Sequence, residues 1–250
     1  MDLSVTQQVR ARPSRWLLFL AFVLAAGLVY SGVHFAVALL LTALFVAVGM
    51  AWQQQRMRQR VAFIESYVWP HDLWQRVETQ ARSLALSAKQ RRWVERGLRD
   101  FFQIQTRSNS RQVMAMPSHA VDALWHALIL DTRAYAEFCQ RAFGRMLHHR
   151  PHAAIPQGDA AMMRTWQSSC QLQGLTPQST TVLPRLFMLD AMLLWPQMQQ
   201  HDALEWSQRY RQWVATQSSD SGSSHSSDHD SSDSHGCGGD SGCSGGCGGD

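Results

Sequence analysis

Charged residues are scarce in this chain and are missing altogether from one long stretch. Asp, Glu, Lys and Arg make up only 17% of the 250 residues, whereas 45% are hydrophobic. None of the four occurs in the 37 residues from Trp16 to Trp52. A run of this length excludes an ordinary soluble globule and predicts a membrane segment.

The apolar stretch is too long for one straight span. As a single helix it would extend about 55 Å, against about 30 Å for the hydrocarbon core of a bilayer. Ser31-Gly32-Val33-His34 divides it at its centre, which predicts a transmembrane helical hairpin over 15–52 with spans at about 15–31 and 34–52. A signal peptide over 1–31 and a single tilted span that exports the domain are the alternatives. Neither predicted span offers an ionisable side chain for an ion relay, so a transporter is disfavoured.

Arginines flank both ends of the apolar stretch, and the predicted turn has none. They are Arg10, Arg12 and Arg15 before the stretch and Arg56, Arg58 and Arg60 after it. The positive-inside rule then predicts a multi-pass protein of the bacterial inner membrane with both termini in the cytoplasm. Residues 1–14 form a basic N-terminal segment, and the lipid bilayer is the expected partner.

Lysine and arginine are absent from the other end of the chain. Residues 217–250 contain six Asp and neither basic residue, so residues 1–216 are more basic than the net charge of +4 suggests. Because this positive part adjoins the predicted membrane segment, we attribute its charge to topology and anionic lipid. We expect no nucleic-acid partner.

Long alternating runs of β-branched residues are missing from 53–216, which predicts an all-α cytoplasmic domain of several helices. Ser87 and Gln90 form a capping box at the start of the helix at 88–105, which is predicted to bury Trp93, Leu98 and Phe101. Ser118 is the predicted N-cap of the helix at 119–130. The first predicted helix continues out of the membrane segment through 53–66. The others cover 71–84, 88–105, 119–130, 132–147 and 159–172, then one from Thr176-Pro177, an apolar segment at 186–195 and a final helix at 201–215. No phosphate-binding glycine loop, nucleophile elbow or His-Glu-x-x-His string occurs.

The helix predicted at 119–130 contains one formal charge, Asp122, and must bury most of its surface. His119, Asp122 and His126 lie within about 60° of one another on it. With His148 or His149 from a neighbouring element, they are candidate ligands for Zn²⁺ or Fe²⁺. The structural alternative is that Asp122 fixes the tautomer of His126 or caps another helix, since buried polar groups normally find protein partners.

The helix predicted to follow, 132–147, has an ordinary amphipathic pattern. Its inward face is predicted to carry Tyr135, Phe138, Cys139 and Met146, and its C-terminus to favour protonated imidazole at His148-His149. Cys139, like Cys170, is expected to be a small buried hydrophobe rather than a nucleophile.

A stretch of this region resembles a known family. Residues 121–151 read VDALWHALILDTRAYAEFCQRAFGRMLHHRP. Together with Pro117-Ser118, this string resembles the signature of the glycine-rich-domain proteins of plants and their bacterial relatives. Where many relatives have a second His after the first, this chain has Leu128. The resemblance implies a shared helical domain and says little about activity; it marks as signature positions Asp122, Trp125, His126, Tyr135, Cys139, Gly144 and His149.

The tail at 217–250 has nothing to bury and is predicted to be disordered. It consists of 12 Ser, nine Gly, six Asp, three His, three Cys and one Gln. Its candidate metal ligands are His225, His229, His235, Cys237, Cys243 and Cys247. Their spacing does not match a zinc ribbon, and a cytoplasmic setting would keep the cysteines mostly reduced.

Three functional hypotheses follow. The first is a non-enzymatic, membrane-anchored binding or scaffold module with an unidentified protein partner. The second is a metal-dependent hydrolase or oxygenase centred on Asp122 and His126, and the third is metal handling by the tail. A substrate cavity beside Asp122 and His126 would favour the enzyme, because catalysis needs one and a structural clamp does not.

Overall fold

The structure, a computed structural model, describes residues 15–31, 34–80, 86–108, 112–149, 158–195 and 200–220. Those residues form nine helices and contain no strand, as the all-α prediction required. The helices are α1 (Arg15–Tyr30), α2 (Phe35–Ser66), α3 (Leu73–Gln80), α4 (Ala88–Arg107), α5 (His119–Ile129), α6 (Thr132–Ala142), α7 (Gly158–Leu172), α8 (Arg185–Leu193) and α9 (Ala203–Asp220).

Two apolar helices stand at the N-terminal end. In the described part of the chain, only the helix at Ala36–Ser66 is long and apolar enough to cross a membrane. The apolar helix Trp16–Leu28 is shorter. The α1 helix packs antiparallel on α2, with the Leu17 side chain against Gly49. One membrane-crossing helix is therefore supported, whereas the predicted second span is not; Gly32 and Val33 of the predicted turn lie outside the described residues.

The helical domain begins within α2 rather than after it. The sequence predicted that a helix continues from the apolar segment through 53–66 until Trp69-Pro70 breaks it, and α2 does run unbroken to Ser66 and ends before Trp69-Pro70. Its last turns join the core, where Ile64 is fully buried. Glu65 Oε2 accepts a hydrogen bond from Arg96 Nη1 on α4 at 2.6 Å. A stalk of continuous helix therefore connects the apolar segment to the domain.

The core forms around α4. Its start carries the predicted capping box, with Gln90 N–H donating to Ser87 Oγ and Ser87 N–H donating to Gln90 Oε1. At Gly97 an added Cβ would lie 2.8 Å from Val121 on α5 and 2.5 Å from Leu189 on α8. Only glycine allows the three helices to approach this closely.

Several predicted boundaries were wrong for identifiable reasons. The predicted helix 71–84 is described as α3, Leu73–Gln80, and 81–84 lie outside the described residues. Thr176-Pro177 begins a turn rather than a helix. The last helix extends to Asp220, so 217–220 are helical although the tail was predicted to be disordered from 217.

The α6 helix ends at Ala142, five residues before its predicted end. Gly144 adopts a left-handed conformation with φ of +70°, and its N–H donates to the Gln140 carbonyl at 3.0 Å, which closes the helix. His148 and His149 are consequently not at a helix terminus, so the predicted dipole effect on them does not apply. Met146, predicted to face inward, is 39% exposed.

Candidate metal centre

Helix α5 is fixed at its N-terminus by a buried carboxylate from α8. Ser118 Oγ accepts from Val121 N–H at 3.2 Å, as an N-cap residue does. Asp190, only 3% exposed, accepts from the backbone N–H groups of His119 at 2.6 Å and Ala120 at 3.1 Å. An anion at this position satisfies free N–H groups and matches the positive end of the helix dipole. The orientation of α5 is thereby set.

The segment after α6 is held by a short chain of buried hydrogen bonds. Trp125 Nε1–H donates to the Tyr135 hydroxyl at 3.0 Å, and that hydroxyl donates to the Leu147 carbonyl at 2.7 Å. Burial raises the pKa of Tyr135, so its phenol stays protonated and can donate. Because Leu147 is fixed, His149 two residues later is directed onto α5.

Three predicted ligands meet there, and we call them the Asp122 cluster: Asp122, His126 and His149. His149 Nε2–H donates to Asp122 Oδ1 at 2.8 Å. His126 Nδ1 lies 2.9 Å from the Asp122 carbonyl and 3.2 Å from Oδ2; since both are acceptors, Nδ1 carries the proton. Asp122 therefore contacts both histidines, and its contact with His149 joins α5 to the segment after α6.

The Asp122 cluster lies at the edge of the domain, not in its core. The exposed fraction of the side chain is 47% for His126, 29% for Asp122 and 12% for His149. Trp125 packs its ring edge to face on His149 with centroids 4.6 Å apart. One side of the cluster is thus apolar and closed, and the other is open to water.

The donor set suits a transition metal ion. One ligand atom from each residue can be chosen so that all three lie within 4.8 Å of one another. Donor atoms around a tetrahedral Zn²⁺ are about 3.3 Å apart, so the three atoms would have to draw closer together to share one ion. Two imidazoles and one carboxylate are also the ligands of many Fe(II) sites. Metal would displace the protons now shared with Asp122, so metal affinity falls on acidification.

The other predicted ligands do not join the cluster. His119 begins α5, but its side chain is exposed. Its backbone N–H, not its imidazole, makes the contact found here, by donating a hydrogen bond to Asp190. His148 is exposed and lies outside the group of potential ligands found in the described residues. The six tail candidates, His225, His229, His235, Cys237, Cys243 and Cys247, lie outside the described residues.

Two buried carboxylates were not identified from the sequence. One is Asp190; the other is Asp100, 1% exposed, whose Oδ2 lies 2.5 Å from Arg185 Nη1. Burial raises the pKa of Asp100 to about 6 in spite of this arginine. Asp190 is the lone acid within the apolar segment 186–195, and that isolation was the signal that it needed a buried partner.

Neither described cysteine is suited to nucleophilic chemistry. Cys139 and Cys170 are both buried and form no disulfide with each other. Burial raises the pKa of Cys139 and raises that of Cys170 to about 12, so both thiols remain protonated at neutral pH. This agrees with the prediction that both are small core residues.

Two surface cavities in the described part of the chain lie away from the Asp122 cluster. One, of about 330 Å³, is lined by Trp93 and the cations Lys89, Arg92, Arg96 and Arg185. The other, of about 430 Å³, lies between α7 and α9. Neither of these two cavities is lined by a residue of the Asp122 cluster.

The comparisons with known proteins identify a family but no named relative. A family model described as UCP032817-like matches residues 59–218. The matched range begins in the stalk of α2, runs into α9 and contains the whole Asp122 cluster. No curated protein and no solved structure matches the chain. The match does not test the resemblance to glycine-rich-domain proteins, which stays a prediction.

Proposed function

This chain belongs to the UCP032817-like family, and we propose that it is a membrane-anchored helical protein that binds a transition metal ion at the Asp122 cluster. In this proposal the protein acts by binding, with metal occupancy controlling how the segment after α6 is held. The supporting observation is the convergence of three donor atoms to within 4.8 Å from two separate parts of the chain.

The anchor is supported by apolar side chains that have no protein to pack against. Phe22, Leu40, Leu44 and Val48 are all more than 60% exposed, and they lie on α1 and α2. Burying an apolar side chain of this size is worth about 1.5–3 kcal/mol, so in water the two helices would be a large unfavourable surface. Lipid removes that cost. The two-span hairpin, with both termini in the cytoplasm of a bacterium, remains our topology proposal on the arginine distribution.

A metal-dependent hydrolase or oxygenase is the second candidate. Three protein ligands with an exposed side leave coordination positions free for water or substrate, as in catalytic Zn²⁺ and Fe(II) sites. Binding is preferred because the cavities described above lie elsewhere. The tail offers a third way to capture metal, and the experiment has to separate it from the cluster.

The experiment measures metal content by mass spectrometry after purifying the chain in detergent without a histidine tag. The full chain and a chain shortened after Asp220 are compared, each with Asp122→Asn and His149→Gln. His148→Gln is the matched control, since it changes the neighbouring histidine outside the cluster. We expect the shortened chain to hold close to one metal ion, and both cluster variants, but not the control, to lose it.

Two results would contradict the metal proposal. If the shortened chain holds no metal after equilibration with Zn²⁺ or Fe²⁺, the cluster is a structural clamp. If metal is lost only with residues 221–250, the tail is the site. Turnover of a substrate by the metal-loaded chain, abolished by Asp122→Asn, would instead establish the enzyme.

A further inference from the structure

The height of the domain above the bilayer follows from the continuity of α2. Its apolar part, 35–52, is about 27 Å long, close to the thickness of a hydrocarbon core. Trp52 then lies at the interface, where Arg56 stacks on its ring with the guanidinium carbon 3.7 Å from the centroid. Arg60 is eight residues farther along the helix and therefore about 12 Å above Trp52.

The end of α6 lies at that same height. Phe63 on α2 contacts Phe138 on α6 at a centroid distance of 5.7 Å, while Arg60, one turn closer to the bilayer, contacts Gly144 beyond the end of α6. The two helices are therefore antiparallel, and α6 points its C-terminus toward the lipid. The turn after α6 therefore belongs to the side of the domain that faces the bilayer, which we call the bottom surface.

This bottom surface carries several arginines and one exposed apolar side chain, that of Met146. Arg141 lies over the Phe63 ring at 5.9 Å, Arg145 follows in the turn, and Met146 beside it is 39% exposed. Within the described residues no carboxylate lies within ion-pair distance of Arg60, Arg141 or Arg145. The acids of the neighbouring elements are engaged elsewhere: Glu137 pairs with Arg133 at 3.5 Å, and Glu65 pairs with Arg96.

We propose that Arg60, Arg141, Arg145 and Met146 form a second membrane contact, in which the three arginines attract the phosphates of anionic lipids and Met146 lies against the headgroup layer. The contact rests on the proposed anchor, because α2 is what brings this surface to the bilayer. Its role is to hold the domain upright on the stalk, so that the Asp122 cluster keeps a fixed orientation to the membrane.

Lipid phosphate is favoured as the occupant by distance and by charge. The headgroup layer is about 5–8 Å thick, which leaves about 4–7 Å between it and Arg60, less than the Debye length of about 8 Å at physiological salt. Each arginine near an anionic surface strengthens attachment about fivefold. Because the anchor already holds the domain at the bilayer, the local concentration of lipid near these arginines is high. Even a weak contact between the arginines and lipid phosphates is therefore formed most of the time.

Two equally exposed methionines allow a direct test in the full chain. Met146 is 39% exposed and Met192, on α8, is 40% exposed, so their oxidation by hydrogen peroxide should proceed at similar rates when neither is covered. The chain is placed in nanodiscs of neutral phosphatidylcholine, or in nanodiscs with about a third phosphatidylglycerol to supply negative surface charge. Mass spectrometry then gives the ratio of the two oxidation rates, with Met192 as the internal standard.

We expect the rate at Met146 relative to Met192 to fall about threefold or more in anionic discs and to recover at high salt. The double variant Arg141→Gln, Arg145→Gln should remove the protection. Arg133→Gln, which changes an exposed arginine at the far end of α6, should leave it intact.

The results distinguish a failure of the second membrane contact from a failure of the anchor. An equal ratio in neutral and anionic discs overturns the second contact and leaves the anchor standing. Protection that survives the double variant assigns the effect to something other than these arginines and also overturns the proposal. A chain that does not insert into discs, and is extracted from membranes by alkaline carbonate, overturns the anchor and this contact with it.

Discussion

Replacing Arg185 by Met should leave a buried charge without its principal partner. Asp100 is 1% exposed, and its Oδ2 lies 2.5 Å from Arg185 Nη1. The only other cation within ion-pair distance of Asp100 in the described residues is Arg96, at 3.4 Å, and its side chain is 46% exposed. Methionine keeps the apolar stem of the arginine, so the perturbation is mainly electrostatic.

The magnitude follows from the pKa of Asp100, which burial raises from 3.8 to about 6. At about 1.4 kcal/mol per pKa unit, the ionised carboxylate already costs the native state about 3 kcal/mol. Removing one partner of a buried pair adds about 3 kcal/mol, at the low end of the usual range because Arg96 remains. We expect Arg185→Met to lower the free energy of unfolding by that amount at neutral pH.

The cost of this substitution should depend on pH. The native pKa of Asp100 lies above its unfolded value, so the native state binds more protons and stability is lost as pH rises from about 4 through about 6. At about pH 5 the carboxyl is protonated in both proteins, and the substitution should cost only about 1 kcal/mol, the worth of a neutral hydrogen bond. At about pH 7.5 the full cost returns.

Urea unfolding of the full chain in detergent, followed by tryptophan fluorescence at both pH values, measures this difference. Arg92→Met is the matched control, because Arg92 lines the same surface cavity as Arg185 but its side chain is exposed. An exposed substitution of this kind should lower the free energy of unfolding by less than about 0.5 kcal/mol. A cost of Arg185→Met that is equal at both pH values, or no larger than that of the control, would refute the reasoning.

Three further substitutions are assessed by the same unfolding measurement. Tyr135→Phe leaves the Trp125 N–H and the Leu147 carbonyl without partners and should cost about 2–3 kcal/mol; a cost under about 0.5 would show that the hydroxyl is not needed. Gly144→Ala forces a side chain to φ of +70° against the Arg60 guanidinium and should cost at least about 1 kcal/mol, so an unchanged midpoint would contradict the left-handed turn. Leu194→Gly should stabilise by about 0.5 kcal/mol, because Leu194 has φ of 51° and is 75% exposed; destabilisation would mean that its side chain makes a contact we have not identified.

Local chemistry made much of the helical domain predictable. The Ser87 capping box, the apolar stripe of α4 and the N-cap Ser118 are short-range patterns, and each appears in the structure where it was predicted. Trp93, predicted to be buried with Leu98 and Phe101, is only partly buried, because it lines a surface cavity. Periodicity identifies a helix face, but the depth of each residue on that face depends on what packs against it.

The candidate ligands likewise divide into those that local spacing predicted and those that depend on packing. Asp122 and His126 share a helix, so spacing alone brought them together on one face. The choice between His148 and His149 depended on where α6 ends and on the Tyr135 hydrogen bond to Leu147, neither of which the amphipathic pattern contains. His119 has suitable spacing, but the Asp190 carboxylate from α8 takes its backbone N–H and its side chain remains outside the cluster.

The sequence by itself determined the helical class, the apolar helical segment near the N-terminus and the two candidate ligands that belong to one helix. Hydrophobic periodicity, capping and side-chain spacing act over a few residues and can be read without knowing the fold. The tertiary structure decided that the end of α2 packs into the core, that His149 joins Asp122 and His126, and that the turn after α6 lies against Arg60 of α2. These features depend on contacts between residues far apart in the chain, and such contacts exist only after the helices have packed.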